Sequence, residues 1–403
     1  MTPRIAWAIA GLGVTQIVSW GSTYYLLTVM GPPIAADLGL PPEFVAFGQS
    51  LMLITSGLLG PLAGRIMDTR GARPVMTSGS LVSAGGLGLL ALARDPFLYL
   101  VACLVVGISG AMVLYSAAFT ALTQLDPARA RRNITLLTLP GGLASTVFWP
   151  LGTWLLTHVG WREVCLIYAM INVLLCLPIH VLVAAARGKD GRLDAAPATA
   201  DVEGLPKSAR QRAFLLLATM LALQSLATVG LFNQILTFLT GLGHSQDLAI
   251  RIAMLFGASQ VSARVFEMLF GGRYEVSITG VVAAFGLLAA MLVLPLSTQV
   301  PAAGYVFAAL LGASNGLFTI VQGALTVALF GSRGYGARIG SISVARAFTS
   351  ALGPVLFAAV LARIGAWGLA VFCIVVSTGV LVVMLMLFQH IRRHAQDRTN
   401  PGA

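Results

Sequence analysis

Charged residues are scarce in this sequence of 403 residues. They make up 10% of the chain, against roughly 25% in an average soluble domain. A surface that faces water on all sides needs more charge than this, so the composition excludes an ordinary soluble globular protein. The scarcity is greatest for acidic residues, with 14 Asp and Glu against 25 Lys and Arg. A hydrophobic content of 57% and a mean hydropathy of +0.88 indicate a membrane protein.

Residues and motifs that form enzyme sites are also lacking. The 5 histidines are scattered over loops and helix ends, and the 4 cysteines lie singly inside apolar runs, so neither type has the spacing of a metal or redox site. No Walker loop, kinase motif set or H-E-x-x-H occurs in the sequence. We therefore predict a protein that is not an enzyme and has no metal, no cofactor and no catalytic residues.

Long apolar runs recur along the whole chain. An α-helix of about 20 residues crosses the roughly 30 Å hydrocarbon core of a bilayer, whereas barrel strands alternate in polarity over about ten residues. Since nothing here alternates, the sequence predicts an all-α membrane protein with twelve transmembrane helices. The predicted spans are residues 5–32, 42–66, 72–92, 97–125, 131–158, 163–186, 211–241, 247–270, 274–296, 301–330, 337–363 and 366–391.

The cations are distributed unevenly among the loops that join these spans. With the N-terminus in the cytoplasm, most of the 25 lysines and arginines fall on the cytoplasmic side. This asymmetry follows the positive-inside rule and predicts that both termini are cytoplasmic. It also explains the net charge without a nucleic-acid partner. Arginine greatly outnumbers lysine, and this bias is typical of a GC-rich bacterial genome. We therefore expect the protein to lie in the inner membrane of a bacterium.

A hydrophilic stretch, ARGKDGRLDAAPATADVEGLPKSARQR, separates the sixth span from the seventh. Its Ala, Pro, Asp and Gly content predicts a linker. Both halves have a mid-helix proline, Pro150 or Pro354, before a turn with Gly and Trp, which indicates a parallel six-span repeat. The predicted domains are an N-terminal six-helix bundle (1–186), a cytoplasmic linker (187–210), a C-terminal six-helix bundle (211–391) related to the first by pseudo-symmetry, and a cytoplasmic tail (392–403).

The loop after the second span, GPLAGRIMDTRGARPV from Gly60 to Val75, carries the most specific motif of the chain. It resembles the signature loop of the major facilitator superfamily, G-x-L-a-G-r-x-x-D-r-x-G-r-r, with Ala72 where a basic residue is common. The resemblance extends to the twelve spans, the central linker and the GWRE segment after the fifth span. It implies the major facilitator fold and alternating access, in which two bundles rock about a site at the membrane centre.

The same resemblance implies a gate at the cytoplasmic face. Glycines would let the second and eleventh spans approach closely, and Asp68 would lie near the positive end of a neighbouring helix. The alternative is that the arginines of the loop only fix the topology. The predicted gate residues are Gly60, Gly64, Arg65, Asp68, Arg70, Gly71 and Arg73.

Charged residues well inside the predicted spans are Arg264, Glu267 and Arg346. The two arginines lie four residues from the centres of their spans, roughly 6 Å to the cytoplasmic side of the midplane. A charge at that depth is costly unless it faces the bundle interior or a water-filled path. One carboxylate can neutralise only one guanidinium, so we predict that both arginines line a cavity for an anion, held as a carboxylate by paired hydrogen bonds. The alternative is a structural ion pair between Arg264 and Glu267.

The segment GASQVSAR before and at Arg264 resembles the context of a span-eight arginine in the monocarboxylate transporters and the oxalate/formate exchanger group. The latter group also has a cation in span eleven, where this chain has Arg346. Animal monocarboxylate members have an aspartate four residues before the arginine and a lysine in span one, whereas this chain has Gln260 and an uncharged first span. Proton coupling would therefore use Glu267, or anions would be exchanged without protons.

Further polar and aromatic residues near mid-membrane complete the predicted substrate site. They are Tyr24, Tyr115, Asn233, Asn315 and Gln322. The tyrosines of spans one and four resemble those that shape the small-acid pocket of the family. Their alternative roles are structural, since tyrosines also anchor helices at interfaces and amides also tie helices together.

These features predict a secondary active transporter of small organic anions that works as a monomer in the lipid bilayer. Its partners would be the anion and either protons or a counter-anion. The alternatives are a proton-coupled drug, siderophore or other metabolite transporter of the same superfamily, and a membrane sensor that binds without transport. The fifth span lacks the glycine and proline spacing associated with drug/proton antiporters, which disfavours a drug substrate.

Overall fold

The computed structural model describes residues 3–183 and 204–399, with side chains described through residue 394, and every regular element in these ranges is helical. The helices that span the first five-sixths of the chain are α1 Pro3–Leu38, α2 Pro42–Arg70, α3 Ala72–Ala91, α4 Pro96–Leu125, α5 Pro127–Leu156, α6 Trp161–Val183, α7 Lys207–Gly241, α8 Gln246–Arg273, α9 Val276–Thr298 and α10 Pro301–Phe330. A last helical stretch, Tyr335–Thr399, follows.

This last stretch contains two helices. Gly365 has φ 71° and ψ −178°, a left-handed φ that interrupts the helix and that glycine adopts without steric penalty. We call residues 335–364 α11 and residues 366–399 α12. The part long and apolar enough to cross a membrane is 60 residues, which as one straight helix would measure about 90 Å, some three times the hydrocarbon thickness. Two spans therefore fit it, and the predicted all-α fold with twelve membrane helices is confirmed within the described residues.

The helix ends agree with the predicted spans to within a few residues, except around the central linker and the tail. Helix α7 begins at Lys207, inside the predicted linker, because lysine, alanine, arginine and glutamine favour helix and His390 of α12 donates to the Ala209 carbonyl (3.0 Å). Helix α12 continues through Thr399, past the predicted start of the tail. Residues 187–203 of the linker and 400–403 of the tail lie outside the described residues.

The chain divides into two compact units. The first is formed within Met1–Val202 together with Ser332–Ala347, and the second within Glu203–Gly331 together with Phe348–Ala403. Helix α11 therefore contributes its first part to the first unit. The predicted division into two pseudo-symmetric six-helix bundles stays a prediction.

The first unit contains two widened, π-helical turns. One lies in α1 at Trp20–Tyr24 and the other in α6 at Asn172–Cys176. They are joined directly, because the Asn172 side-chain amide donates to the Ser22 hydroxyl (3.0 Å). Turns of this kind occur often at functional sites, where they redirect side chains that a regular helix would place elsewhere.

Candidate functional site

An aromatic cluster lies in the first unit, formed by Trp20, Tyr24 and Tyr25 of α1, Tyr115 of α4 and Trp149 of α5. Trp20 is at the centre, with ring centroids 5.0 Å from Tyr24 and 5.1 Å from Tyr115. Tyr25 extends the cluster to α5, since its ring lies 5.8 Å from that of Trp149. Such offset and edge-to-face contacts stabilise a fixed arrangement of rings.

The π-helical turn explains how α1 presents three of these rings together. The backbone N–H of Tyr25 donates to the Trp20 carbonyl at 2.9 Å, five residues earlier, and so closes the widened turn. In a regular helix, Tyr24 would lie about 40° and Tyr25 about 140° around the axis from Trp20. The extra residue in the turn changes that spacing and brings Trp20, Tyr24 and Tyr25 into ring contact.

Tyr115 is positioned by a break in α4. Leu114 has an extended backbone (φ −76°, ψ −173°), so a new helical segment begins at Tyr115. The N–H of Ala117 donates to the Leu114 carbonyl and leaves the Val113 carbonyl without its usual helical donor. The buried Gln16 of α1 replaces it, with Nε2 2.7 Å from the Val113 oxygen. A polar residue in α1 thus stabilises the irregular backbone that places a ring of the aromatic cluster.

Arg346 belongs to the same unit as the aromatic cluster. Its guanidinium interacts electrostatically with the phenol groups of Tyr24 and Tyr115. One turn earlier on α11, the Ser343 hydroxyl forms a 2.9 Å hydrogen bond with the Ser116 hydroxyl of α4, which fixes the helix beside Tyr115. The first unit therefore brings together three residues predicted for the substrate site.

Arg264 lies in the second unit and is 3% exposed. Its Nη2 donates to the side-chain oxygen of Gln260, one turn earlier on α8 (3.0 Å), and to the Thr319 hydroxyl on α10 (3.2 Å). Both of these acceptors are neutral, and they orient the guanidinium. Sequence reasoning missed Thr319, because a single hydroxyl in an apolar span gives no signal of its own.

A hydrogen-bonded chain continues from Arg264 to α7. The Thr319 hydroxyl donates to the backbone carbonyl of Asn315 (3.0 Å), and the side-chain oxygen of Asn315 accepts from Gln224 Nε2 (3.2 Å). Gln224 also donates to the Thr228 hydroxyl (2.9 Å). Asn315 was a predicted site residue, whereas Gln224 was not, although a glutamine in an apolar span is the signal that would have indicated it.

Glu267 is 3% exposed, and its carboxylate joins α8 to the start of the next helix. It accepts hydrogen bonds from the Tyr274 hydroxyl (2.7 Å) and the Thr279 hydroxyl (3.1 Å). These two hydrogen bonds connect Glu267 to the residues after α8 and give it a structural role in the second unit. Its role in proton coupling stays a prediction.

The two remaining predicted residues of the second unit differ in exposure. Asn233 is exposed and donates to the Val229 carbonyl of its own helix (2.8 Å), while Gln322 of α10 is buried. A common cavity for Arg264 and Arg346 stays a prediction, since these residues belong to different units. Among the described residues, His, Cys, Asp and Glu form no group of three that could hold a metal ion.

The signature loop meets the N-terminus of α11 inside the first unit. The two carboxylate oxygens of Asp68 accept from the backbone N–H groups of Gly336 (2.9 Å) and Ala337 (2.8 Å). These are among the N–H groups that lack an intrahelical acceptor at a helix start, and the helix dipole favours a negative charge there. Asp68 is therefore an anion bound at the first turn of α11.

Backbone contacts continue this interface along α2 and α11. A Cβ on Gly64 would lie 2.0 Å from the Gly336 carbonyl oxygen, and a Cβ on Gly340 would lie 2.3 Å from the Gly60 oxygen, so no side chain fits at either place. The remaining predicted gate residues lie at the end of α2, at the Gly71 turn and in the first turn of α3. Arg65, Arg70 and Arg73 are exposed, and Gly71 has φ 85°. Their gate function stays a prediction.

The family profile described as Major Facilitator Superfamily matches residues 12–280, about two-thirds of the chain. The chain belongs to the major facilitator superfamily. The match includes the signature loop and the first unit from residue 12 onward, except its segment in α11. Helical architecture and family membership together identify a multi-pass membrane protein.

Similar curated proteins match only part of the chain. An uncharacterized 38 kDa protein in the 23S RNA operon of Thermoproteus tenax is 33% identical over 194 residues, which are 47% of this chain and 50% of the relative. Multidrug resistance protein MdtH of Klebsiella pneumoniae is 30% identical over 129 residues, 32% of each chain. MdtH of Aeromonas hydrophila is 30% identical over 152 residues, 36% of this chain and 38% of the relative. The chain thus spans half or less of the length of these relatives.

A solved superfamily structure covers nearly the entire chain. The crystal structure of the human organic anion transporter MFSD10 (TETRAN) superposes with a TM-score of 0.66, covering 96% of this chain and 100% of that one, at 17% sequence identity. At this identity the likeness concerns the fold alone. It extends the superfamily fold beyond residue 280, where the family profile ends.

Proposed function

We propose that this superfamily member is a secondary active transporter that carries small organic anions across the bacterial inner membrane by alternating access. The observation that carries the proposal is that Arg346 of α11 belongs to the same unit as Tyr24 and Tyr115 and lies within electrostatic range of both phenols. Arginine keeps its charge in proteins, and a permanent cation inside a membrane helix marks a substrate path by default. A carboxylate from the substrate would complete this site.

The backbone around Arg346 supports a binding role. Helix α1 is widened at Trp20–Tyr24 and α4 is broken at Leu114, and both irregularities supply rings of the aromatic cluster. In membrane proteins, irregular helices are tolerated where they are buried in protein or line a cavity, and transporters use them at binding sites. The phenol hydroxyls and the guanidinium offer several donors to an anionic group.

Arg264 would be a second contact for the anion. Gln260 and Thr319 hold one of its terminal nitrogens in place, which reduces the entropy lost when a ligand binds. A guanidinium presents five N–H donors in a fixed fork that matches the two oxygens of a carboxylate. The driving ion would be a proton, with Glu267 as its acceptor, or a counter-anion.

The test is uptake of labelled lactate, pyruvate, formate and oxalate into proteoliposomes. We expect Arg346→Gln and Arg264→Gln to reduce uptake at least tenfold and to remove anion-dependent thermal stabilisation, with membrane insertion unchanged. Matched controls lie on the same helices: Arg363→Gln on α11 and Arg251→Gln on α8 remove exposed arginines and are expected to retain uptake. The proposal is rejected if no anion is transported and none raises the melting temperature.

A second candidate is a proton-coupled drug exporter. The relatives named MdtH favour it, at about 30% identity over a third of the chain, and an aromatic cluster also suits planar lipophilic compounds. Export of ethidium driven by a pH gradient, without any effect of carboxylates, would favour this candidate over the anion carrier. Transport of labelled carboxylates that ethidium does not inhibit would favour the anion carrier.

A further inference from the structure

In the second unit, the start of α7 and the end of α12 lie side by side. A Cβ on Gly379 of α12 would lie 3.6 Å from Leu223 Cδ1 of α7, and His390 Nε2 donates to the Ala209 carbonyl at 3.0 Å. Residue numbers rise along α12 as they fall along α7 between these two contacts, so the helices pack antiparallel. On the predicted topology both of these helix ends face the cytoplasm.

Cations are concentrated at these two helix ends. We call them the basic surface, which consists of Lys207, Arg210 and Arg212 of α7 and Arg392 and Arg393 of α12. Arg210 is half-buried and the others are exposed. Residues 204–241 and 366–394 contain no aspartate or glutamate, so neither helix supplies a carboxylate to these cations. Because like charges repel, the basic surface favours an anionic partner.

The hydrogen bond between His390 and Ala209 fixes the depth of these cations relative to one another. At the rise of an α-helix, the two arginines of α7 have their Cα atoms about 1.5 and 4.5 Å further into the membrane than Ala209. The two arginines of α12 have theirs about 3 and 4.5 Å further out than His390. All the Cα atoms of the basic surface therefore lie within a band of about 9 Å, which is similar to the roughly 5–7 Å headgroup layer on each side of a bilayer.

The directions of the side chains narrow this band. Helical side chains lean towards the N-terminus of their helix, so those of α7 lean out of the membrane and those of α12 lean into it. Arg210 Nε donates to the Leu205 carbonyl, which precedes α7 (2.7 Å). The guanidinium carbon of Arg392 lies 4.7 Å from the ring centroid of Phe388, one turn earlier on α12. The guanidinium groups of the two helices therefore converge on one level at the membrane surface.

We propose that the basic surface binds the headgroup of an anionic phospholipid in the adjoining leaflet, which is the cytoplasmic one on the predicted topology. Guanidinium groups bind phosphate oxygens with paired hydrogen bonds, and roughly four to eight cations just outside a membrane helix are typical of such sites. The positive-inside rule concerns only how many cations lie on one side of the membrane. Here two joined helices hold their cations at a single level. The inference is independent of the proposed anion transport.

The test titrates the purified full-length protein, in detergent micelles, with anionic phosphatidylglycerol or with zwitterionic phosphatidylcholine. We expect phosphatidylglycerol to raise the melting temperature in a saturable way that added salt weakens, and phosphatidylcholine to have a smaller effect. The double variants Arg210→Gln/Arg212→Gln and Arg392→Gln/Arg393→Gln should each need at least tenfold more phosphatidylglycerol for half of the effect, because both helix ends contact one headgroup.

The matched control is Arg129→Gln/Arg132→Gln, which removes two exposed cations at the start of α5 in the first unit and changes the net charge equally. This control should keep the wild-type response to phosphatidylglycerol. Arg392→Lys/Arg393→Lys keeps both charges and should retain most of the response. Melting temperatures without added lipid show whether each variant is folded. For a variant that is less stable there, the phosphatidylglycerol retained by the protein in native mass spectrometry gives the comparison.

Four results would overturn the inference. Equal stabilisation by the two lipids would show that the headgroup charge is not recognised. An equal loss in the control variant would assign the response to total positive charge. A loss with only one of the two helix ends would exclude a site shared by α7 and α12. Equal stabilisation by inorganic phosphate, removed by the same variants, would assign the basic surface to a soluble anion. None of these results bears on the proposed anion transport.

Discussion

Removing the carboxylate of Asp68 is expected to destabilise the first turn of α11. Its two oxygens accept the N–H groups of Gly336 and Ala337 at 2.9 and 2.8 Å. A hydrogen bond to a charged group contributes about 1.5–3 kcal/mol, and the helix dipole adds about 0.3–1 kcal/mol. Asp68 is half-buried, so the lower values apply. We expect a loss of about 3 kcal/mol for Asp68→Ala and about 1.5 kcal/mol for Asp68→Asn, which keeps one neutral acceptor.

Residue-resolved hydrogen exchange measures this effect directly. Each 1.4 kcal/mol changes an equilibrium tenfold, so exchange at the two α11 amides should accelerate about a hundredfold for Asp68→Ala and about tenfold for Asp68→Asn. Asp95→Asn is the matched control, because Asp95 accepts a single N–H, that of Leu98, at the start of α4 (2.8 Å). Its effect should be confined to α4. Unchanged exchange at Gly336 and Ala337 in Asp68→Ala would refute the anchoring role.

Three further predictions concern packing, backbone strain and coupling. Gly64→Ala would place a Cβ 2.0 Å from the Gly336 oxygen, so it should lower the melting temperature by several degrees or prevent folding. Gly88→Ala is the control, because a Cβ there would have nothing within 4 Å. This control variant should leave the melting temperature unchanged or raise it slightly. Gly365→Ala adds a Cβ at a residue with a positive φ, which is sterically unfavourable for every residue except glycine. It should therefore lower the free energy of unfolding by about 1–2 kcal/mol, measured by denaturant titration. An unchanged free energy would mean that the turn adopts another backbone conformation. Glu267→Gln should change the pH profile of transport, and an identical profile would exclude Glu267 from coupling.

The fold could be predicted because its main determinant is local. Apolar runs long enough to cross a bilayer specify the helices one by one, and each is bounded by Gly, Pro or charged residues. The contacts of the loop after α2 could also be predicted, because they depend on glycines and one carboxylate at a fixed spacing in the sequence. The tyrosines and Arg346 were predicted individually, from polarity at a given depth in the membrane.

The arrangement of the site could not be predicted, because it depends on irregular backbone. The side chains that satisfy the hydrogen bonds of this backbone are distant from it in the sequence. Leucine favours helix, so nothing at Leu114 predicts a break, and the glutamine that stabilises the break lies 97 residues before Val113. The aromatic cluster depends in the same way on the widened turn of α1. An analysis of the sequence by helical periodicity assumes regular α-helices, so it assigns these aromatic side chains to the wrong helix faces.

The widened turns of α1 and α6 are also places where these helices could lose one residue during evolution. Each turn contains one residue more than a regular helix needs, so a single-residue deletion there would leave a continuous regular helix and change the side-chain directions within the turn. A one-residue gap at Trp20–Tyr24 or Asn172–Cys176 in an alignment of relatives would therefore mark a change in the direction of several side chains. Loss of the Asn172 to Ser22 hydrogen bond would be expected to accompany it.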